Sequence, residues 1–425
     1  MGPICIPCRK LGYMTTESNS SSLPLAGIRI VDVTHIVAGP FASMILGDMG
    51  AEVVKIERPG VGERGRSNGP FIDGSHGGRV SARYLGLNRN KKSVTLDLRD
   101  PRCKAAFERI VKESDVLLDN WGPGALQRLG LGYDVLKGLN PKLVYVSITG
   151  YGDPEGPAPG PYSDWPANNP CVQGMGGWMT VTGEPGGGPQ MVGDNVGDSV
   201  PGVWSALGVM MALEKRHRTG EGSFVDMAMY DCMATHLTST VPFYQATGII
   251  SGRERNNMLS AQLALKAKDG YVVLAGAGGP EKWKVLWRFM DREDLIEDAR
   301  YLGVGVSGDF YMNHFVPELE AWTSQRTKEE VTNQLTSIGY SMGIVQDQKD
   351  LDECPHLAAR GMFVNGGNNL GGIFRTVNTP IKFADGPGNP NIEPPLLGAN
   401  NEEILQSIGG VGQEELEKMQ SDGVI

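Results

Sequence analysis

The chain has 425 residues, 40% of them hydrophobic and 21% charged, with a formal net charge of -10. That length allows two or three domain-sized cores, and the acidic balance argues against a nucleic-acid-binding surface. No run of about 18 apolar residues stands out, so no membrane span is expected.

The first segment, residues 1–23, lacks the apolar stretch of about 7–15 residues that marks a signal peptide, and its polar second half reads as a disordered extension. The six cysteines are dispersed and make no disulfide framework; a cytoplasmic location is expected. Cys5-x-x-Cys8 lacks the second pair that a zinc site wants, and no two of the six histidines have ligand spacing, so no metal is expected.

"IRIVDV" (28–33) reads as a buried strand, followed by a helix over 41–49 and a strand "AEVVKIE" over 51–57. "GVGERG" (60–65) matches G-x-G-x-x-G, but no helix opens behind it, so a pyrophosphate would lack its anion seat. "NRNKKSVTLDLRD" (88–100) reads as a loop carrying Arg89, Lys91, Lys92 and Arg99. With Arg58 and Arg128 it could hold a phosphorylated ligand, or it could be an ordinary solvated face. A helix near 102–113, a strand 115–119, short helices to about 138 and a strand 143–148 follow. Strands alternating with helices imply an α/β fold with a parallel sheet.

A Gly/Pro-rich loop (149–172) leads to a helix expected over 202–216 and a strand-to-helix segment over 223–231. Beyond about 240 the character changes to a hairpin, with its turn at Asp269–Gly270, and amphipathic helices. The expected division is a large domain beginning with 24–230, a linker and smaller α+β domain over 231–350, and a return to the large domain over 351–425.

Three candidate positions follow strands or open a helix. His35 lies just past a strand end, where ligands collect in parallel sheets, although a turn role fits equally well. Asn120 and Trp121, after "DVLLD", could bond and stack on a ligand or form a turn with a core aromatic. Asp198, in "GDSVPGVWSALGVMMAL", is either a helix cap or a carboxylate nucleophile, ionised at neutral pH without a neighbouring base.

Taken together, "LAGIRIVDVTHIVAGPFASMILGDMGAEVVKIERPG", "LNRNKKSVTLDLRDP", "LLDNWGPGALQRLGLGYDVLKGLNPKLVYVSITGYG" and "ALGVMMALEKRHRTGEGSFVDMAMYD" resemble, in order, the class III CoA-transferases. This is the family of formyl-CoA transferase and carnitine CoA-transferase, with α-methylacyl-CoA racemase as a relative. The resemblance implies a Rossmann-like large domain built from both chain ends, a small domain between them, and a dimer of interlocked chains. It implies Asp198 as nucleophile in a series of acyl transfers, with CoA esters as substrates and no tightly bound cofactor. It implies CoA contacts at His35, Val37, Ala38, Arg58, Leu96, Asp97, Leu98, Arg99, Asn120, Trp121, Gly122 and Arg128. Each acyl transfer needs oxyanion donors, and a glycine loop is the family's source; "GRERNNMLSAQ" does not match that loop of four consecutive glycines, and Gly276, Gly278 and Gly279 come later, after an expected strand, which leaves the donors unassigned.

Val37 stands where formyl-CoA transferase has glutamine, which argues for a bulkier or less polar acyl group than formate or oxalate. Succinyl-CoA as donor, with an aromatic or branched dicarboxylate as acceptor, is the expectation. The tail motif is "PPLLGAN" rather than P-P-x-L-G-E-H. Two alternatives are a non-catalytic partner subunit and an acyl-CoA racemase; against the second, Ser163 occupies the place of the racemase histidine.

Overall fold

The structure is a computed structural model that describes residues 23–73, 78–184, 186–253, 262–275, 280–298, 311–367, 373–384, 386–387 and 393–425. The N-terminal extension to residue 22 with Cys5 and Cys8, His76, and the Gly276, Gly278 and Gly279 loop lie outside the described residues. The chain divides into two compact units. The larger holds residues up to Pro166, Asp198–Ala228 and Val364–Ile425; the smaller holds Ala167–Gly197 and Met229–Phe363.

The larger unit is built on six parallel strands: β1 (Arg29–Asp32), β2 (Glu52–Glu57), β3 (Lys91–Thr95), β4 (Val116–Asp119), β5 (Val144–Thr149) and β6 (Ser223–Ala228). Their spatial order is β3-β2-β1-β4-β5-β6. This is the doubly wound order, which reverses direction between β1 and β4 and opens a crevice at their carboxyl ends. The strands are nearly continuous apolar runs because helices cover both faces. Val31, Val54, Val94, Leu117 and Tyr145 pack against Phe107 and Ile110 of the Pro101–Lys112 helix. Ile404, Leu405, Leu416 and Met419, from the far end of the chain, close the same core.

The edge strand β3 is a correction to the basic loop expected at 88–100. Its backbone bonds to β2 on one side. On the other, the side chains of Asn400 and Asn401 accept from Ser93 N (3.0 Å) and Thr95 N (2.8 Å), so the edge offers no free donors there.

The helix expected at 202 runs over Val196–Thr219 instead. Proline favours the first helical position, so Pro201 reads as a start signal. Here the helix continues back through it by more than a turn. Among the described residues this is one helix whose length and composition would suffice to cross a membrane. Its Ala206, Val209 and Ala212 are buried, and Gly208 faces Val225 and Met227 of β6.

The smaller unit has a three-stranded antiparallel sheet in which β8 (Gly270–Ala275) lies between β7 (Gln262–Ala267) and β9 (Ser341–Ile344). Lys268 and Asp269 form the two-residue turn of the β7–β8 hairpin. Leu265, Val272 and Leu274 pack with Trp283, Leu286, Trp287, Phe315, Leu319, Val331 and Leu335 from the amphipathic helices.

Candidate active site

The crevice between β1 and β4 is built on buried charge. Asp32, the last residue of β1, has no solvent exposure. Its carboxylate accepts from Ser43 Oγ (2.6 Å), Thr34 N (2.8 Å) and Lys91 Nζ (3.1 Å). Lys55 Nζ lies 3.6 Å from the same carboxylate and donates to Thr34 O at 2.8 Å. Lys91 also reaches Pro40 O and Asn88 Oδ1. Burial pushes the Asp32 carboxyl up, but Lys55, Lys91 and two hydroxyls outweigh it and hold the group well below the usual carboxylate range. Burial lowers Lys91 to about 8, with Asp32 opposing the change. Three buried charges are tolerable because each is hydrogen-bonded.

Past β1 the chain turns through Thr34–Val37 into the Ala38–Asp48 helix. Asn120, after β4, binds this turn at two points: Oδ1 accepts from His35 N (2.8 Å) and Nδ2 donates to His35 O (2.9 Å). The His35 imidazole is lowered to about 4 by burial, then by Arg64 and Lys55, and is neutral at physiological pH. Next to Asn120, Trp121 N donates to Asp119 Oδ1 at 2.8 Å, and Tyr145 bonds the other Asp119 oxygen at 3.2 Å. Burial without a cation raises Asp119 to about 6.

Two adjoining cavities occupy the crevice. One, of about 590 Å³, is lined by Thr34, His35, Arg58, Glu63, Arg64, Ser67 and Trp121 among others. The second, of about 280 Å³, is lined by Arg58, Leu96, Asp97, Leu98, Arg99, Trp121 and Leu129 among others. Arg58 and Trp121 border both. The structure thus gathers His35, Arg58, Leu96, Asp97, Leu98, Arg99 and Trp121 around one crevice. Arg99 pairs with Asp97 at its mouth (2.7 Å). Val37 and Ala38 are buried and line neither cavity. Asn120, Gly122 and Arg128 line neither cavity; Arg128 Nη1 donates to Pro123 O at 3.2 Å.

The remaining basic residues expected to hold phosphate line neither cavity. Arg89 is bidentate to Asp48 (2.9 and 2.6 Å), Lys91 bonds Asp32, and Lys92 pairs with Glu52 and Glu403. Lys91 and Lys92 begin β3, at the opposite end of the strand from the cavities. Ser163 is structural: its Oγ accepts from Gly160 N at 2.9 Å.

Asp198 is the third residue of the Val196–Thr219 helix, in its first turn rather than capping it. One turn later the helix approaches the entrance of the Ala38–Asp48 helix so closely that a Cβ on Gly202 would lie 2.8 Å from Ala38 O. Burial raises the Asp198 carboxyl to about 6, and Arg83 opposes the rise. Arg83 is half-buried and makes no hydrogen bond or ion pair with another described residue. Sequence reasoning missed Arg83, Glu63 and the Asp32–Lys55–Lys91 cluster. One signal was available for the cluster: a lysine in the middle of "VVKIE" must find a buried partner.

Among the described residues no group of His, Cys, Asp and Glu could hold a metal ion. A sequence model described as CoA-transferase family III matches residues 25–401. The chain is 33% identical to succinyl-CoA:mesaconate CoA-transferase of Haloarcula hispanica, over 92% of this chain and 98% of that enzyme. It is 31% identical to succinyl-CoA–D-citramalate CoA-transferase of Chloroflexus aurantiacus, over 95% and 98%. It is 32% identical to formyl-CoA:oxalate CoA-transferase of Streptomyces avermitilis, over 94% and 99%. Among solved structures, a CAIB/BAIF family protein from Brucella suis superposes with a TM-score of 0.81 at 32% identity, covering 91% of this chain and 99% of that one.

Proposed function

This chain belongs to CoA-transferase family III and is an enzyme that transfers CoA, and from that premise we propose that Asp198 is its nucleophile, with succinyl-CoA as donor and a short, branched dicarboxylic acid as acceptor. The observation that carries the reading is a carboxylate held in the first turn of a long helix, shielded enough to titrate near 6 yet ionised at neutral pH.

The Asp198 carboxylate attacks the thioester carbonyl, forming a mixed anhydride and releasing CoA thiolate. The thiolate attacks the aspartyl carbonyl, giving an aspartyl-CoA thioester and the free donor acid. The acceptor carboxylate attacks that thioester, forming a second anhydride and releasing thiolate again. Thiolate attack on the acceptor carbonyl yields the new acyl-CoA and frees Asp198. Each proton-free exchange passes through an oxyanion that preorganised donors must stabilise.

Arg58 and Arg99 border the crevice and suit the phosphates of CoA, and Trp121 offers a face for stacking. His35, Leu96, Asp97 and Leu98 complete that lining. Val37 stands at the acyl end, and Ala38, Asn120, Gly122 and Arg128 complete the proposed CoA contacts, with Asn120 holding both backbone groups of His35. Arg83 supports a dicarboxylate: it is an unpaired cation acting on Asp198, suited to a second carboxylate on the acyl chain. We read the working form as a dimer, since Val203, Leu207 and Met210 leave an exposed apolar stripe along the Val196–Thr219 helix.

The test is chemical trapping. With succinyl-CoA present, hydroxylamine or borohydride is expected to modify Asp198, located by peptide mass spectrometry. Asp198→Ala abolishes both modification and transfer while CoA binding survives. Turnover near wild type in that variant removes the assignment.

A further inference from the structure

The G-x-G-x-x-G sequence at 60–65 opens no helix of the length a pyrophosphate seat needs, yet its loop borders the crevice and is fastened to it. Ile36, in the turn that leads from β1 to the Ala38–Asp48 helix, has φ of 70°. A β-branched residue rarely adopts this left-handed backbone, so something must hold it there. The holding group is Glu63: its Oε2 accepts from Ile36 N at 3.0 Å and from Gly65 N at 2.6 Å. Glu63 is buried. Glycine at 65 is what lets this side chain fold back, since a Cβ there would sit 2.3 Å from Glu63 Oε1.

The brace is itself anchored. Glu63 N donates to Glu57 Oε2 at 3.0 Å, and Arg66 binds both oxygens of Glu57 at 2.7 Å. Arg66 also bonds the Tyr84 hydroxyl and Pro395 O. From the other side Asn120 holds both backbone groups of His35, and Lys55 holds Thr34 O. The backbone from Thr34 to the amide of Ile36 is therefore fixed by three side chains, from β2, the loop behind it and the loop after β4.

We propose that Glu63 is a positioning residue of the transfer reaction: it clamps Ile36 in the left-handed conformation and so sets the His35–Ala38 backbone against the acyl-CoA. The "GVGERG" loop is the support that carries the clamp. This rests on the reading above that His35, Val37 and Ala38 contact the acyl-CoA. It goes beyond that reading in assigning the contact geometry to a residue that acts through the backbone it holds, although its side chain also borders the larger cavity.

The inference is tested by rescue. Glu63→Ala leaves Ile36 free to relax, so CoA affinity by calorimetry is expected to fall about tenfold and kcat/KM for succinyl-CoA about 100-fold. Glu63→Gln keeps the acceptor and is expected to stay within about threefold of wild type. Adding Ile36→Gly to Glu63→Ala removes the conformational penalty and is expected to restore at least about tenfold of the lost kcat/KM. If the double variant recovers nothing, or if Glu63→Gln loses as much as Glu63→Ala, the clamp is wrong, the second result pointing to direct action of the charge. Should Glu63→Ala fail to fold, Glu63→Asp, whose shorter side chain loses the reach, is compared with Glu63→Gln, each with and without Ile36→Gly. Glu63→Asp is then expected to lose activity when Ile36 is retained and to keep it when combined with Ile36→Gly; equal loss in both backgrounds overturns the clamp. CoA binding needs no turnover, so a wild type that binds CoA but forms no Asp198 adduct sinks the nucleophile and leaves the rescue result standing on its own.

Discussion

The two units fill their cores with different chemistry. Among the described residues the charged side chains that are buried, Asp32, Lys55, Lys91, Glu57, Glu63 and Asp119 among them, belong to the larger unit. The smaller unit's core is Leu, Val, Trp and Phe, and its ion pairs, such as Lys328–Asp350 and Arg292–Asp294, lie toward solvent. Packing alone needs only apolar surface. Buried charge costs desolvation and gives little net stability. Its concentration under the carboxyl ends of β1, β2 and β4 is what one expects where backbone must be held in a fixed, strained path beside a reacting group.

The contrast breaks first at Asp32. Asp32→Ala leaves Lys55 and Lys91 buried without their carboxylate and is expected to cost about 3–5 kcal/mol in chemical denaturation. Lys328→Ala in the smaller unit should leave the melting temperature almost unchanged, because that pair is screened by water. Similar losses in the two variants would erase the distinction.

A smaller effect sharpens it at Asp198. Its carboxyl sits at about 6 in the folded protein against 3.8 in an exposed chain, raised by burial and only partly opposed by Arg83. The folded state therefore prefers the protonated acid. Stability falls as pH rises from 3.8 through 6, and the full penalty is present above that. Asp198→Asn removes it, so this variant should be more stable than wild type by about 3 kcal/mol at about pH 7.5, the gain vanishing toward about pH 4. In wild type the transfer rate should fall with an acid limb near pH 6. His35, held down at about 4, cannot supply that limb.

The smallest expected change is at Arg58, which borders both cavities. Arg58→Ala should raise KM for CoA esters about tenfold with little change in kcat. A loss confined to kcat would move Arg58 from phosphate binding to the reaction itself.

Much of this protein is legible in residue order. Alternating apolar strands and helices, each short and bounded by glycine or a polar turn, specify a parallel α/β sheet, because strand and helix periods differ and buried strands read as unbroken apolar runs. The blocks around "DVTHIVAGP", "LLDNWGPGAL" and "ALGVMMALEKRHRTGEGSFVDMAMYD" carry the family resemblance, and with the carboxylate at the mouth of the helix before the last they bring His35, Asn120, Trp121 and Asp198 forward as candidates. What residue order leaves undecided is which polar side chain faces which. Lys91 and Arg89 look like phosphate ligands in a basic loop, yet Lys91, in the paired strand, reaches Asp32, and Arg89, in the turn before it, closes on Asp48, each partner tens of residues away. Pro201 looks like a helix start, yet the helix runs back through it to Val196, where the distant Asn169 Oδ1 accepts from Gly197 N. Glu63 looks like a solvated residue in a glycine loop, and only the fold sets its carboxylate under the amide of Ile36, where a long-range hydrogen bond overrides local backbone preference. Local pattern fixes secondary structure because its energetics are local; pairing of buried charges is decided by tertiary distance, which sequence separation does not encode.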